Sequence, residues 1–402
     1  MTHQHFSKVQ QAPPDPILGI TESFNKDSNP HKINLCVGVY QSETGGNPVL
    51  KSIKQAERML LEQETTKDYL GIDGDREYTR GVQELLFGKS AETLGSNRAA
   101  TLQTPGGTGA LRVGADFIRS QYPQARVWVS DPTWPNHKGI FNSAGLEVKT
   151  YPYFDAENSR IRLDELLAAL EAVQEGDVVL LHGCCHNPTG IDPTDEEWAR
   201  IVEIFRARRI IPFLDFAYQG LGRGLDEDAS SIRAFDKAGL EMLIASSFSK
   251  NMGLYRERVG AITFVTADSE AAGRVMSQAK LLVRTNYSNP PSHGAKTAGI
   301  VMGNPQIREL WISELNQMRD RIRQMRQDFV KKLAEVGVKQ NFEFLAGQNG
   351  MFSFSGISGA QVERLKNEFG IYMAQNGRIN VAAITPGNID YLCRSILQTL
   401  HG

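Results

Sequence analysis

Short apolar runs alternate with stretches of helical period over most of this 402-residue chain. The runs "ARVWVS", "DVVLLHGCC", "IIPFLDFA", "MLIASSFS" and "GAITFVT" are apolar at consecutive positions and too short for buried helices. That pattern predicts strands covered on both faces. Between them lie segments such as "DEEWARIVEIFRARR", opened by the capping residue Thr194 with acids in the first turn. Strand–helix alternation from about residue 45 to 310 predicts an α/β fold with a mostly parallel central sheet. After about residue 305 the texture changes. "ELWISELNQMRDRIRQMRQDFVKKLAEVG" reads as one long charged amphipathic helix ending at Gly337. Short strands around "GMFSFSG" and "INVAAI" follow, and "KINLCVGVY" near the start reads as a strand that completes the same smaller α+β unit. The expected division is an N-terminal arm at 1–15, a small domain from 16–44 and 312–402, and a large domain at 45–311.

Composition narrows the class. Hydrophobic residues make up 41% and charged residues 22%, which suits a soluble globular protein. The net charge of -2 gives no bulk attraction to nucleic acid or to an anionic membrane, so any anion must be held by a few placed cations. No apolar stretch approaches the ~20 residues of a membrane-spanning helix. The first residues lack the apolar core of a signal peptide. Cys36, Cys184, Cys185 and Cys393 show no metal-ligand spacing and read as buried thiols, which suits a cytoplasmic location.

In open α/β sheets, ligands bind beyond the carboxyl ends of the strands. Four runs end there in polar residues: "VWVS" in "DPTWPNH", "VVLLHGCC" in "HNPTG", "IIPFLDFAY" with Asp215 and Tyr218, and "MLIASSFS" in Lys250. A further loop, "TPGGTGALR", precedes a helix whose first N–H groups suit phosphate. Each feature has a plainer reading when taken alone. "GGTG" matches neither GxGxxG nor the P-loop and would be a turn. Asn187 before Pro188 would be a turn residue, Trp134 a core residue, Asp215 a structural acid and Lys250 a solvated cation. Their convergence at one sheet edge favours chemistry. A buried Lys attacks carbonyls, an acid holds a ring nitrogen protonated, and an aromatic ring stacks on a planar group. A Gly/Thr loop with Ser247 and Arg258 suits a phosphate dianion. Together they describe a site for pyridoxal 5′-phosphate.

The same segments carry a family resemblance. "INLCVGVYQSETGGNPVL", "YLGIDG", "TPGGTGALR", "DPTWPNHKGIF", "CCHNPTGID", "DFAYQG", "SSFSKNMGLYRERVGA", "RTNYSNPPSHGA" and "GRINVAAITPGN" occur in family order across nearly the whole chain. The sequence resembles the class I pyridoxal-phosphate aminotransferases, in the subgroup of aspartate and aromatic-amino-acid aminotransferases, with fold type I. The resemblance implies that Lys250 bonds the cofactor aldehyde and moves the substrate Cα proton. It implies that Asp215, backed by His137, faces the pyridine nitrogen, that Asn187 and Tyr218 bond the ring oxygen, and that Trp134 stacks on the ring. Gly107, Thr108, Ser247 and Arg258 would hold the phosphate, joined by Tyr69 from the neighbouring subunit of a homodimer. Arg378 would grip the substrate α-carboxylate, and Gly38 lies in the segment that closes over substrate. Arg284, again from the neighbour, would bind the distal carboxylate of aspartate or glutamate; read alone it is a solvated surface Arg.

The implied reaction moves an amino group from L-aspartate to 2-oxoglutarate in two half-reactions, with aromatic amino acids as the alternative donor. Val39, Thr108 and Asn289 look aspartate-type by resemblance, whereas Gln41, Asn47 and Asp68 match neither subgroup. A lyase or decarboxylase with the same cofactor is disfavoured by the Arg284 and Arg378 pair. A non-enzymatic regulatory domain is disfavoured by the presence of Lys250. A Rossmann dehydrogenase is disfavoured by the lack of an early GxGxxG. By the same resemblance, Asp131-Pro132 and Asn187-Pro188 are expected to be cis.

Overall fold

The computed structural model describes residues 5–12 and 18–401. The rest of the expected arm, including its boundary at 15/16, lies outside the described residues. The centre is a seven-stranded sheet. In chain order its strands are β1 (Ala99–Pro105), β2 (Val127–Asp131), β3 (Val148–Pro152), β4 (Val178–His182), β5 (Ile211–Phe216), β6 (Met242–Ser247) and β7 (Val259–Val265). Their spatial order is β1-β7-β6-β5-β4-β2-β3. Only β7 runs against its neighbours; the pairings β6–β5, β5–β4, β4–β2 and β2–β3 are all parallel. Two apolar clusters cover the sheet. One includes Leu102, Val129, Leu180, Phe213 and Ile262, the other Val179, Leu181, Leu214, Phe216 and Ile244. Alternate residues of β4 and β5 thus enter different cores, which is why these strands read as continuous apolar runs.

β1 and β3 escape the hydrophobic pattern because polar residues interrupt them. In β1 those residues are buried and satisfied. Thr101 lies opposite Thr263 of β7, their hydroxyls 2.9 Å apart. Gln103 accepts from Asp75 N and donates to Pro291 O at 2.6 Å. Such partners remove the penalty for polar groups inside a sheet.

The helix Asp195–Arg208 carries the expected cap: Thr194 accepts from Glu197 N, and Glu197 accepts from Thr194 N. The long helix spans Pro305–Glu335, starting earlier than its charged stretch implies. Asn304 accepts from Gln306 N and Ile307 N, and Pro305 takes the first position, where a missing N–H costs nothing. Gly337 follows the helix with φ +93°. Trp311, Leu315, Met318, Ile322, Met325, Phe329 and Leu333 form its buried stripe. Trp311 donates from its indole to Asn251 O at 2.8 Å, pinning the loop that follows Lys250.

The segment read as a strand at "KINLCVGVY" is one for two residues only. Ile33–Asn34 pairs in parallel with Ile371–Tyr372. Beyond them the segment is stitched to Arg378–Asn380 instead: Asn380 N donates to Leu35 O, and Asn380 Nδ2 donates to Val37 O and Val39 O. "INVAAI" likewise divides into a short strand, Arg378–Asn380, paired with Phe352–Phe354, and a 3₁₀ turn at Val381–Ala383. Among the described residues no helix is long and apolar enough to cross a membrane, and no disulfide joins the four buried Cys.

Candidate active site

A cavity of ≈ 270 Å³ opens at the carboxyl ends of the parallel strands. It is lined by Gly38, Gly107, Thr108, Trp134, Asn187, Asp215, Tyr218, Ser247, Lys250, Arg258 and Arg378, and also by Leu111, Ala217, Ser249 and Phe352. The chain thus brings together nearly all of the residues singled out from sequence. His137 lies behind Asp215. Tyr69 and Arg284 stand apart from this cavity; Tyr69 is 91% exposed, and Arg284 is on the surface at the end of the helix Ser269–Asn286. Asp131-Pro132 and Asn187-Pro188 are both cis, as expected.

Asp215 sits near the end of β5, where the strand buries every side chain. His137 Nε2 is 2.9 Å from Asp215 Oδ2, and its Nδ1 is 2.8 Å from Thr133 Oγ1. The same Thr133 hydroxyl lies 3.3 Å from His182 Nε2 at the end of β4. Burial pushes the Asp215 carboxyl up. The His137 hydrogen bond and the pull of His137, with Lys250 adding to them, outweigh it and hold Asp215 below the usual carboxylate range. Burial, reinforced by His137, takes His182 down to about 3, so it stays neutral. The Thr133–His182 extension has no signal in the sequence, because only the fold brings β4 beside the turn after β2.

Lys250 lies beyond the end of β6, its amine 5.0 Å from the centre of the Tyr218 ring. Burial lowers its pKa first, and Arg258 adds to the effect; Asp215 opposes both. A lowered amine pKa raises the fraction that is neutral and nucleophilic. Trp134 meets His137 edge-on, with ring centres 5.2 Å apart.

Arg378 is the second cation of the cavity. It is 3% exposed, lies 4.3 Å above the centre of the Phe352 ring, and donates to Cys36 O at 2.9 Å and to Asn187 Oδ1 at 3.3 Å. Its Nε is buried with no hydrogen-bond partner, and among the described residues no carboxylate pairs with it. A buried guanidinium resting on neutral acceptors is a receptor for an anion. Phe352, which supports it, is a further site residue. Sequence marks it only as a strand residue.

The remaining wall is made for a phosphate. The helix Gly106–Gln121 begins here with no side-chain cap and no acid in its first turn, so its leading N–H groups are available to an anion. Space is tight around it. A Cβ at Gly106 would lie 2.5 Å from Arg258 Nη2, and one at Gly107 would lie 3.0 Å from Ser247 Cβ. A Cβ on Gly260 would strike the Gly106 backbone at 2.3 Å. We expect Gly260→Ala to displace the loop, costing about 1–3 kcal/mol. Thermal unfolding of the variant should show that loss, together with weaker binding of pyridoxal phosphate. These donors, the enclosed amine and the ionised acid fit that cofactor: a phosphate, an aldehyde and a pyridine nitrogen each meet a matching group.

Comparison with known proteins bears directly on this fit. The family model described as aminotransferase class I and II matches residues 30–396. The aspartate aminotransferase of Escherichia coli K12 is 54% identical over 395 residues, covering 98% of this chain and all of that protein. The aromatic-amino-acid aminotransferase of the same organism is 45% identical over 396 residues, again covering 98% of this chain and all of that protein. Among solved structures, an aromatic-amino-acid aminotransferase from Burkholderia pseudomallei, covalently bound to pyridoxal phosphate, superposes with a TM-score of 0.96 at 47% identity. That match covers 98% of this chain and 99% of the other. With its fold and nearly its full length matched, this chain belongs to the class I and II aminotransferases.

Proposed function

We propose that the protein is an aspartate aminotransferase, taking the amino group from L-aspartate and delivering it to 2-oxoglutarate. The observation that carries this reading is the buried Arg378 guanidinium, which no acid among the described residues pairs with and which faces the same cavity as Lys250. It fits the α-carboxylate of an amino acid whose Cα is then within the reach of an amine.

When bound, pyridoxal phosphate supplies an aldehyde that takes up the amino group and a ring that withdraws electrons from the substrate Cα. The chain's own residues divide the remaining work. Gly107, Thr108, Ser247 and Arg258 hold the phosphate. Asp215 would keep a proton on the ring nitrogen, and His137, 2.9 Å away, fixes the orientation of that carboxylate. Trp134 would stack on the ring, and Asn187 and Tyr218, whose side chains are 3.4 Å apart, would bond its oxygen. Lys250 would take the substrate Cα proton as a general base and deliver it as a general acid to the cofactor's C4′ in the same half-reaction, and the second half-reaction would run that transfer in reverse. Arg378 orients the substrate, and Gly38 lets the segment above it approach. At Gly38 a Cβ would lie 3.0 Å from the Phe352 ring.

Arg284 and Tyr69 are exposed in the single chain, which supports a homodimer in which each copy lends them to its neighbour's cavity. The segments 16–44 and 312–402 are then a small domain that closes on the large one, 45–311. Buried Cys residues without a disulfide support a cytoplasmic location. Transfer from aromatic amino acids is the second reading, supported by the 45% identity to an aromatic-amino-acid enzyme.

The test is the first half-reaction. The holoenzyme is mixed with L-aspartate, L-phenylalanine or L-tyrosine, and the cofactor absorbance is followed. Faster conversion with aspartate is the expected result. Comparable or faster conversion with the aromatics would transfer the assignment to the second reading, with Gln41, Asn47 and Asp68 the first positions to examine. No conversion with any of them would end both.

A further inference from the structure

We infer that Ser288 is a specificity-positioning residue: it holds the Arg284 guanidinium in the pose that receives a distal carboxylate. The inference rests on the proposed role of Arg284. Arg284 lies in the last turn of the helix Ser269–Asn286, on a long side chain that would otherwise wander in solvent. Its Nη1 donates to Ser288 Oγ. The same hydroxyl donates to Asn289 Oδ1 at 3.1 Å, and Asn289 Nδ2 donates to Leu70 O at 2.8 Å. A continuous chain of hydrogen bonds therefore runs from Arg284 to the residue after Tyr69. The Arg284 side chain is thereby tied, through the Ser288 hydroxyl and Asn289, to the backbone next to Tyr69.

The backbone is shaped for this. Val283 O accepts from both Tyr287 N at 3.1 Å and Ser288 N at 2.9 Å, which ends the helix in a tight turn. Ser288 takes φ +66°, a conformation that Gly or Asn adopts more readily than Ser. Gly would satisfy the turn but would supply no hydroxyl. Among the described residues no carboxylate pairs with Arg284, so one edge of the guanidinium is tethered and the other is open to an anion. Holding a flexible cation in place lowers the ordering cost when a carboxylate binds.

The test uses holoenzyme carrying Ser288→Ala, Ser288→Gly or Arg284→Ala, with L-aspartate against L-alanine in the first half-reaction. Affinity for succinate, a dicarboxylate without an amine, is measured separately by calorimetry. Loss of a hydrogen bond to a charged group should lower the aspartate-to-alanine ratio roughly tenfold in both serine variants. Succinate binding should weaken to a similar extent, with alanine conversion unchanged. If both serine variants keep the wild-type ratio while Arg284→Ala loses it, the inference is overturned alone. If only Ser288→Ala loses it, backbone strain explains the loss and the inference also fails. If Arg284→Ala keeps the ratio, the role of Arg284 falls and the inference falls with it.

Discussion

Lys250→Ala should abolish transamination while leaving the fold intact. General acid–base transfer alone contributes roughly 10²–10⁴-fold. On the proposed reading Lys250 would also bond the cofactor aldehyde, so the expected loss in kcat is at least ~10⁴-fold. Among the described residues no other amine lines the cavity. Stability should move the other way. A lowered pKa means that the folded state resists the cationic form of Lys250, first through burial and then through Arg258. At neutral pH, below the ordinary lysine value of about 10.4, that resistance costs folding free energy. The cost fades as pH rises toward that value. The apo variant should therefore melt at the wild-type temperature or above it. Measuring kcat and the apo melting temperature on the same preparations checks both parts. A variant that lost activity by unfolding would fail the second, and one that retained a tenth of wild-type activity would fail the first.

The reason Lys250 could be found without a structure lies in how α/β sheets are built. A strand covered on both faces has to be apolar, so the first polar residues after it mark the sheet edge where ligands bind. Asp215, Asn187, Trp134 and Lys250 are all legible on that rule, and the cavity gathers all four. Residues that act through distant contacts are not legible that way. Phe352 matters because Arg378 lies on its ring, and Thr133 matters because it sits between His137 and His182. Neither contact has a local sequence signature. Arg378 follows the turn "QNG" in a polar stretch and stands out only by resemblance. The polar strand β1 carries no apolar run for a related reason: Thr101 and Gln103 are buried only because of partners on β7 and at Pro291, which the sequence does not show. Tyr69 and Arg284 mark the limit of a single chain, since both are exposed and stand apart from the cavity.

Asp215→Asn is the most informative change after Lys250. The amide has nearly the same shape as the carboxylate and can still meet the ring of His137, so geometry is largely kept and charge is removed. On the proposed reading the loss is electrostatic: Asp215 would be the anion that keeps a proton on the cofactor's ring nitrogen while negative charge develops at the substrate Cα. Removing one preorganised group of this kind costs roughly 10²–10³ in kcat. We expect the upper end of that range, because Asp215 and His137 are both buried away from water. The pH dependence separates this from a general weakening. Burial alone would raise the Asp215 pKa, but His137, with Lys250, brings it below the usual carboxylate range. A depressed carboxylate pKa contributes stability above its unfolded value of about 3.9, and that contribution is lost only as pH falls through the lower folded value. Between pH 5 and 9 the wild-type group is therefore always ionised. The deficit of Asp215→Asn should be constant across that window, read as parallel profiles of log kcat against pH. A deficit that closed toward pH 5 would mean that wild-type Asp215 takes up a proton there, and the assignment of a permanent anion opposite the ring nitrogen would be wrong.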